Sequence, residues 1–249
     1  MKRIFTFIAS LLITVAMGAQ TINIHKADGS VVKFSSAEVE YIDFSEEEQS
    51  GEQTAYLTCP DANHPHMIDL GLPSGTKWAC CNVGASTPEQ YGNYYAWGET
   101  QPKSVRYYWG TYQWGYYNDD EDYSHLVNIG SDIAGTSYDA ATANWGAPWR
   151  MPSLTQIKEL FSNVTSAWTT QNGVNGRKFT GPNGGTIFLP AAGFHWNVGL
   201  SEAGSYGHCW SSTLEENYPY SAYRLVFRSG GAGCNPDPRC YGFPVRPVR

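Results

Sequence analysis

Residues 149–164 read WRMPSLTQIKELFSNV. Leu154, Ile157, Leu160, Phe161 and Val164 recur at helical spacing and form one apolar stripe. Ser153 stands three residues before Gln156, the pattern of a capping box, and Pro152 precedes that cap. The stretch predicts a short amphipathic helix over 154–164 that must bury one side. Upstream, SYDAATANW at 137–145 places Tyr138, Ala141, Thr142 and Trp145 on one face, and Gly146 and Pro148 end it. No other helix is expected. Downstream the period becomes two. KFT and TIFLP flank GPNGG at 181–185 and read as a hairpin. AYRLVFR at 222–228 directs Tyr223, Leu225 and Phe227 inward and Arg224, Val226 and Arg228 outward. YGFPVRPVR at the end carries Pro244 and Pro247 and reads as an edge or irregular strand. Two helices with many short strands make the fold class α+β.

Composition agrees with a strand-and-turn protein that has a substantial core. Apolar residues make up 41% of 249 residues, with 9 Trp, 17 Tyr and 10 Phe. Gly at 26 and Pro at 14 imply many turns. Only 16% of residues are charged, the net charge is -7, and no Lys/Arg run occurs, so nucleic acid is not an expected partner.

The chain divides by composition. Lys2 and Arg3 precede an apolar run from Ile4 to Met17 with small residues at Ala16, Gly18 and Ala19, so 1–19 reads as a secretory signal peptide. Its run is short for a membrane span, and no transmembrane segment is expected. The expected location is periplasmic, outer-surface or secreted. Residues 20–44 alternate around Asp28-Gly29 and read as a small β module, with Ile22 and Ile24 on one face and Val32 and Phe34 on another. Val39, Tyr41, Ile42 and Phe44 continue it. Residues 45–55 are acidic and polar, a linker, and 56–249 form one domain.

Six cysteines follow the signal: Cys59, Cys80, Cys81, Cys209, Cys234 and Cys240. An exported chain permits disulfides, and six cysteines allow about 15 full pairings. Adjacent Cys80 and Cys81 would need different partners, Cys234 and Cys240 bracket a short loop that a local bridge would close, and buried free thiols are the other reading.

MIDLGLPSGTKWACCNVGA (67–85), YGNYYAWGE (91–99), WRMPSLTQIKEL (149–160), LPAAGF (189–194), CWSST (209–213) and YGFPVRPV (241–248), in that order, resemble the Fibrobacter succinogenes major paralogous domain of Bacteroidetes and Fibrobacter. The resemblance spans nearly all of 56–249. It implies a C-type-lectin-like fold related to the formylglycine-generating-enzyme type: two helices packed on twisted, mostly antiparallel short strands, with the chain ends close together. It implies little about activity, since such proteins are mostly exported and of unknown function. Some C-type-lectin-like relatives are diversified by retroelements near the C-terminus. The corresponding outward positions here would be Leu214, Glu215, Asn217, Tyr218, Arg224, Val226, Arg228, Asn235, Asp237 and Phe243.

Two surfaces are candidates for contact with a glycan or protein ligand at the cell surface. The aromatic stretch from Tyr91 to Tyr117 contains Tyr94, Tyr95, Trp97, Tyr108, Trp109 and Trp114, rings that either pack a loop-rich core or display polar-tipped area. The C-terminal face offers Tyr218, Arg224, Arg228, Asn235, Asp237, Arg239 and Phe243, an arginine and tyrosine mixture typical of binding hot spots. NDDED at 118–122 lacks the spacing of a calcium loop, and His64, His66, His195 and His208 do not compose a metal set, so no metal or cofactor is expected. Enzyme motifs are absent, and a cysteine-dependent activity at Cys209, beside His208, is the weaker alternative to binding. A structural role as an envelope or fimbria-associated subunit is another, with the β module as the joining element.

Overall fold

A computed structural model describes residues 21–25, 30–35, 67–104, 106–118, 122–197 and 199–249. The signal segment 1–19, the Asp28-Gly29 turn, the linker 45–55, Val39 to Phe44, Cys59, His64, His66 and Asp119 to Glu121 lie outside the described residues. The chain divides into two compact units, Met1–Glu52 and Gln53–Arg249. In the first, β1 (Thr21–His25) pairs antiparallel with β2 (Val31–Ser35), Ile22 opposite Phe34 and Ile24 opposite Val32.

The second unit is mixed helix and sheet, with far more strand than helix. β3 (Met67–Asp69) pairs with β4 (Lys77–Ala79). A 3-10 turn, Trp109–Thr111, interrupts the long irregular stretch that follows. α1 covers Ala140–Trp145, and α2 covers Leu154–Asn163. β5 (Thr165–Gln171), β6 (Val174–Thr180) and β7 (Thr186–Pro190) form one antiparallel sheet. β8 (Phe194–Trp196) and β9 (Gly199–Ser201) form a small hairpin. β10 (Tyr206–Leu214), β11 (Ser221–Arg228) and β12 (Gly231–Pro238) form the second three-stranded sheet.

The local rules hold where the sequence states them strongly. Ser153 accepts from Gln156 N while the Gln156 side chain accepts from Ser153 N, so the capping box closes α2. Ile157 and Leu160 are fully buried on its inner side. α1 begins three residues later than the sequence suggests. Its cap is Asp139, whose carboxylate takes N–H bonds from Ala141, Thr142, Gly135 and Met151. That one buried carboxylate ties α1 to the loop before it and to the strand-like segment after it. The hairpin around 181–185 forms, with Thr180 opposite Thr186. β5 was not anticipated. It is turned back onto β6 by Asn172-Gly173, both at positive φ, the pairing a two-residue hairpin requires.

The closing segment corrects the sequence reading. It is irregular, but it is no edge. Phe243, Val245, Arg246 and Val248 are all at or below 1% exposure. Its backbone bonds in turn to Tyr95, Trp210, Val83, Ala79, Arg150 and Lys77. The prolines sit where the N–H is not needed, while their carbonyls accept: Pro244 O from Trp210 N and Pro247 O from Ala79 N. Lys77 and Arg249 exchange both backbone bonds, so the first strands of this unit meet its last residues.

This thread divides two main cores. One gathers Leu70, Trp78, Ile157, Leu160, Phe179, Leu189, Cys209, Leu225 and Phe227 between α2 and the strands. The other gathers Tyr95, Trp97, Ile133, Met151, Trp210, Ala222, Phe243 and Val245. The β10–β12 sheet therefore has a partner on each face. Leu225 and Phe227 enter the first core, and Trp210 and Ala222 enter the second. Gly207 is required on β10, because a Cβ there would lie 1.8 Å from the Phe227 ring. The second face is covered from Trp210 to His208, which is 3% exposed under Phe194 and Phe243, and it opens around Tyr206 and Arg228.

Candidate functional site

The aromatic stretch is mostly core. Tyr95 and Trp97, candidates for display, are buried and take the core-packing alternative, as do Tyr107 and Tyr112. Their polar tips are consumed inside. Trp97 Nε1 donates to Ser211 O at 2.9 Å, Tyr112 OH to Trp97 O at 2.7 Å, and Tyr107 OH to Tyr94 O at 2.5 Å. Half-buried Tyr94 and Trp114 are spent likewise, on Ala192 O at 2.6 Å and on Gly98 O at 2.8 Å. Burial pushes the Tyr107 phenol up to about 12 and the Tyr94 and Tyr112 phenols higher still, so all three stay neutral. Trp109 is half-buried, and only Tyr108 of the six is exposed.

Arg239 and Phe243 are also corrected. The Arg239 guanidinium is buried against Trp97 and Tyr112, 5.1 Å and 5.3 Å from their ring centres. It donates to Tyr112 OH, Pro219 O and Val127 O. It fastens the aromatic block to two loops and has nothing left to display. Phe243 lies beneath the sheet, its ring 4.4 Å from Trp210. Glu215, an outward position by resemblance, is buried. Tyr218 is 54% exposed and ends a row of rings in which Tyr117 and Tyr220 stack at 4.3 Å.

The remaining candidates meet at the open end of the β10–β12 sheet. Strand register does this. On the middle strand Arg228 stands between Tyr206 and Gly231, Val226 between His208 and Gly233, and Arg224 between Trp210 and Asn235. Alternation then puts Tyr206, His208, Arg224, Arg228 and Asn235 on one face. With Glu202 and the Gly230–Gly233 backbone they line an open cleft of about 440 Å³. Gly233 has free space where a Cβ would stand, so glycine there keeps the cleft empty.

The charges in the cleft are partly spent. Arg224 Nε is ion-paired with Asp237, which places Asp237 as the holder of that guanidinium. Burial pulls the Asp237 carboxyl up against the lowering effect of Arg224. The Arg224 guanidinium rests 5.4 Å from the centre of Phe243, and the His208 ring stacks on the same Phe243 at 5.1 Å. His208 Nε2 lies 3.3 Å from Glu202 Oε2. Burial, helped by the Arg224 charge, pushes the His208 imidazole down to about 3, so it is neutral near pH 7. Arg228 donates to Tyr206 OH at 3.0 Å and lies over its ring at 5.8 Å.

Four buried side-chain polar atoms of the described residues have no hydrogen-bond partner, and two of them belong to the cleft: His208 Nδ1 and Arg224 NH1. The other two, Trp78 Nε1 and Ser212 Oγ, belong to residues that line neither this cleft nor the one beside Arg239. An unpaired buried polar atom is costly, and such atoms concentrate where a ligand completes the bonding.

Sequence reasoning missed Glu202, Tyr206 and His208 as site residues. The signal was YGHCW at 206–210, whose alternation puts Tyr206 and His208 beside the Arg224 and Arg228 face. The same alternation separates His208 from Cys209. Cys209 points into the opposite core, where burial pushes its thiol up to about 12. A thiol held protonated is a poor nucleophile. Cys234 and Cys240 are not bridged, and Cys240 is also pushed up to about 12 by burial. Among the described residues no group of three or more His, Cys, Asp and Glu is placed to hold a metal, and no helix is long and apolar enough to cross a membrane.

Comparison with protein-family models, with curated proteins and with solved structures gives no match in any of the three.

Proposed function

We propose that this chain is an exported, non-catalytic binding protein of the cell surface. Its larger unit would be a C-type-lectin-like module of the Fibrobacter succinogenes major paralogous kind. Its ligand, a glycan or a protein segment, would sit in the cleft at the open end of β10–β12. One observation carries this reading. Side chains from the β9–β10 connection and all three strands converge on one cleft, and two of its buried polar atoms lack partners. Of the four buried polar atoms without partners among the described residues, these two alone lie in residues lining a cleft, so here bonding capacity left over coincides with space for a ligand. A glycan array and a pull-down from surface extracts test the reading together. A ligand whose capture is lost in Gly233→Phe supports it. A folded wild type that captures nothing in either assay overturns it.

A structural role is the second reading, and the β1–β2 hairpin favours it. Two-stranded hairpins are marginal alone and carry backbone groups ready to pair with another chain. Deleting residues 20–50 should then abolish incorporation into an envelope assembly and leave the melting of the larger unit unchanged. Unchanged incorporation would remove this role.

A further inference from the structure

We propose that the ligand of this cleft is a carboxylate-bearing polyol, an acidic saccharide being the fitting class, with Arg228 taking the carboxylate and Arg224 and His208 sharing one hydroxyl; this rests on the binding role proposed above.

The hydroxyl follows from the two unpartnered atoms. A carboxylate only accepts hydrogen bonds, so the Glu202 contact fixes the proton of the neutral His208 ring on Nε2. Nδ1 is then a lone-pair acceptor, buried and unused. Arg224 is held by Asp237 through Nε, and its NH1 is a donor, also buried and unused. Both side chains pack on Phe243 and line the same cleft, and the proposal places one ligand group between the donor and the acceptor. A hydroxyl is the small neutral group that accepts and donates at once. It accepts from Arg224 and donates to His208. A carboxylate at this spot would face the His208 lone pair with nothing to give.

The carboxylate follows from Arg228. This guanidinium is exposed and makes no ion pair among the described residues. Its side-chain bond to Tyr206 OH and the ring beneath it fix its orientation. The remaining N–H groups form the planar fork that suits a carboxylate. Glu202 on the same cleft disfavours a doubly charged group such as phosphate. Asn235, exposed and able to donate and accept, would take a second hydroxyl.

The test follows side-chain nitrogen signals by NMR during titration of the full chain with methyl glucuronide, methyl glucoside, acetate and inorganic phosphate. Methyl glucuronide should move the Arg224 and Arg228 Nε–H signals and the His208 ring nitrogens together. Methyl glucoside should bind about tenfold more weakly, and Arg228→Ala should lose about the same factor for the glucuronide alone, the scale of one charge-assisted contact. Acetate or phosphate should leave His208 unmoved. Gly233→Phe should abolish all of these shifts. Unmoved His208 and Arg224 signals under the glucuronide overturn the proposal, as does glucuronide binding that Arg228→Ala leaves unchanged. A neutral glycan that binds in wild type and not in Gly233→Phe, with the glucuronide inert, removes the acidic class and keeps the binding role. Inert probes with an empty array and extract remove both.

Discussion

The aromatic block around Trp97 and the cleft at Arg224 are built from the same residue types and end in opposite states. In the block, Tyr107, Tyr112, Trp97 and Arg239 each spend their polar atoms on a backbone carbonyl or on one another. In the cleft, Arg224 and His208 each keep one polar atom unspent. Ring density and arginine content therefore do not mark a binding surface. What marks it is bonding capacity left unspent in residues that line a cleft.

That contrast breaks first if the inner guanidiniums prove dispensable. Arg246 is fully buried, has no ion pair among the described residues, and donates to Asn82 Oδ1, Ala79 O, Cys80 O and Phe188 O. Arg246→Leu strands four acceptors in the core and should cost about 3–5 kcal/mol, read as a fall in the urea midpoint. Tyr112→Phe removes one bond to Trp97 O and one from Arg239, and should cost about 1–3 kcal/mol. Neither change touches the cleft, so any ligand bound by the surviving folded fraction should keep its affinity.

The His208 environment sharpens the contrast through pH. The unfolded imidazole titrates near 6.5 and the folded one near 3. Between those values the unfolded chain binds a proton that the folded chain refuses, so stability falls as pH drops through this window. The slope from His208 is about 1.4 kcal/mol per pH unit at most. His208→Gln should flatten the stability profile between pH 6.5 and pH 3 by that amount. A profile identical to wild type would place His208 in water rather than in the cleft floor. Smallest of all are the rim changes. Arg228→Ala and Gly233→Phe should each alter stability by less than about 0.5–1 kcal/mol, since one side chain is exposed and the other position has open space.

Sequence carried the elements that rest on local chemistry. The Ser153–Gln156 box, the stripe of α2, the 181–185 hairpin and the outward Arg224 and Arg228 all follow from spacing within a few residues. It failed where the deciding partner is distant in the chain. Phe243 and Arg239 look displayed in a proline-rich tail, yet the tail is threaded between two cores by bonds to residues 77–97 and 150. Asp139 looked like a helix residue and is the cap that joins α1 to Met151. The cleft shows both limits at once. Alternation exposes the arginines, but only the β10–β11 register brings Tyr206 and His208 alongside them.

The most direct measurement is ligand binding by wild type and by Gly233→Phe, side by side, with melting curves for both. We expect the ligand taken by wild type to be lost when the phenylalanine fills the cleft, at a nearly unchanged melting temperature. Equal binding by both proteins would put the ligand elsewhere and contradict the assignment of the β10–β12 cleft.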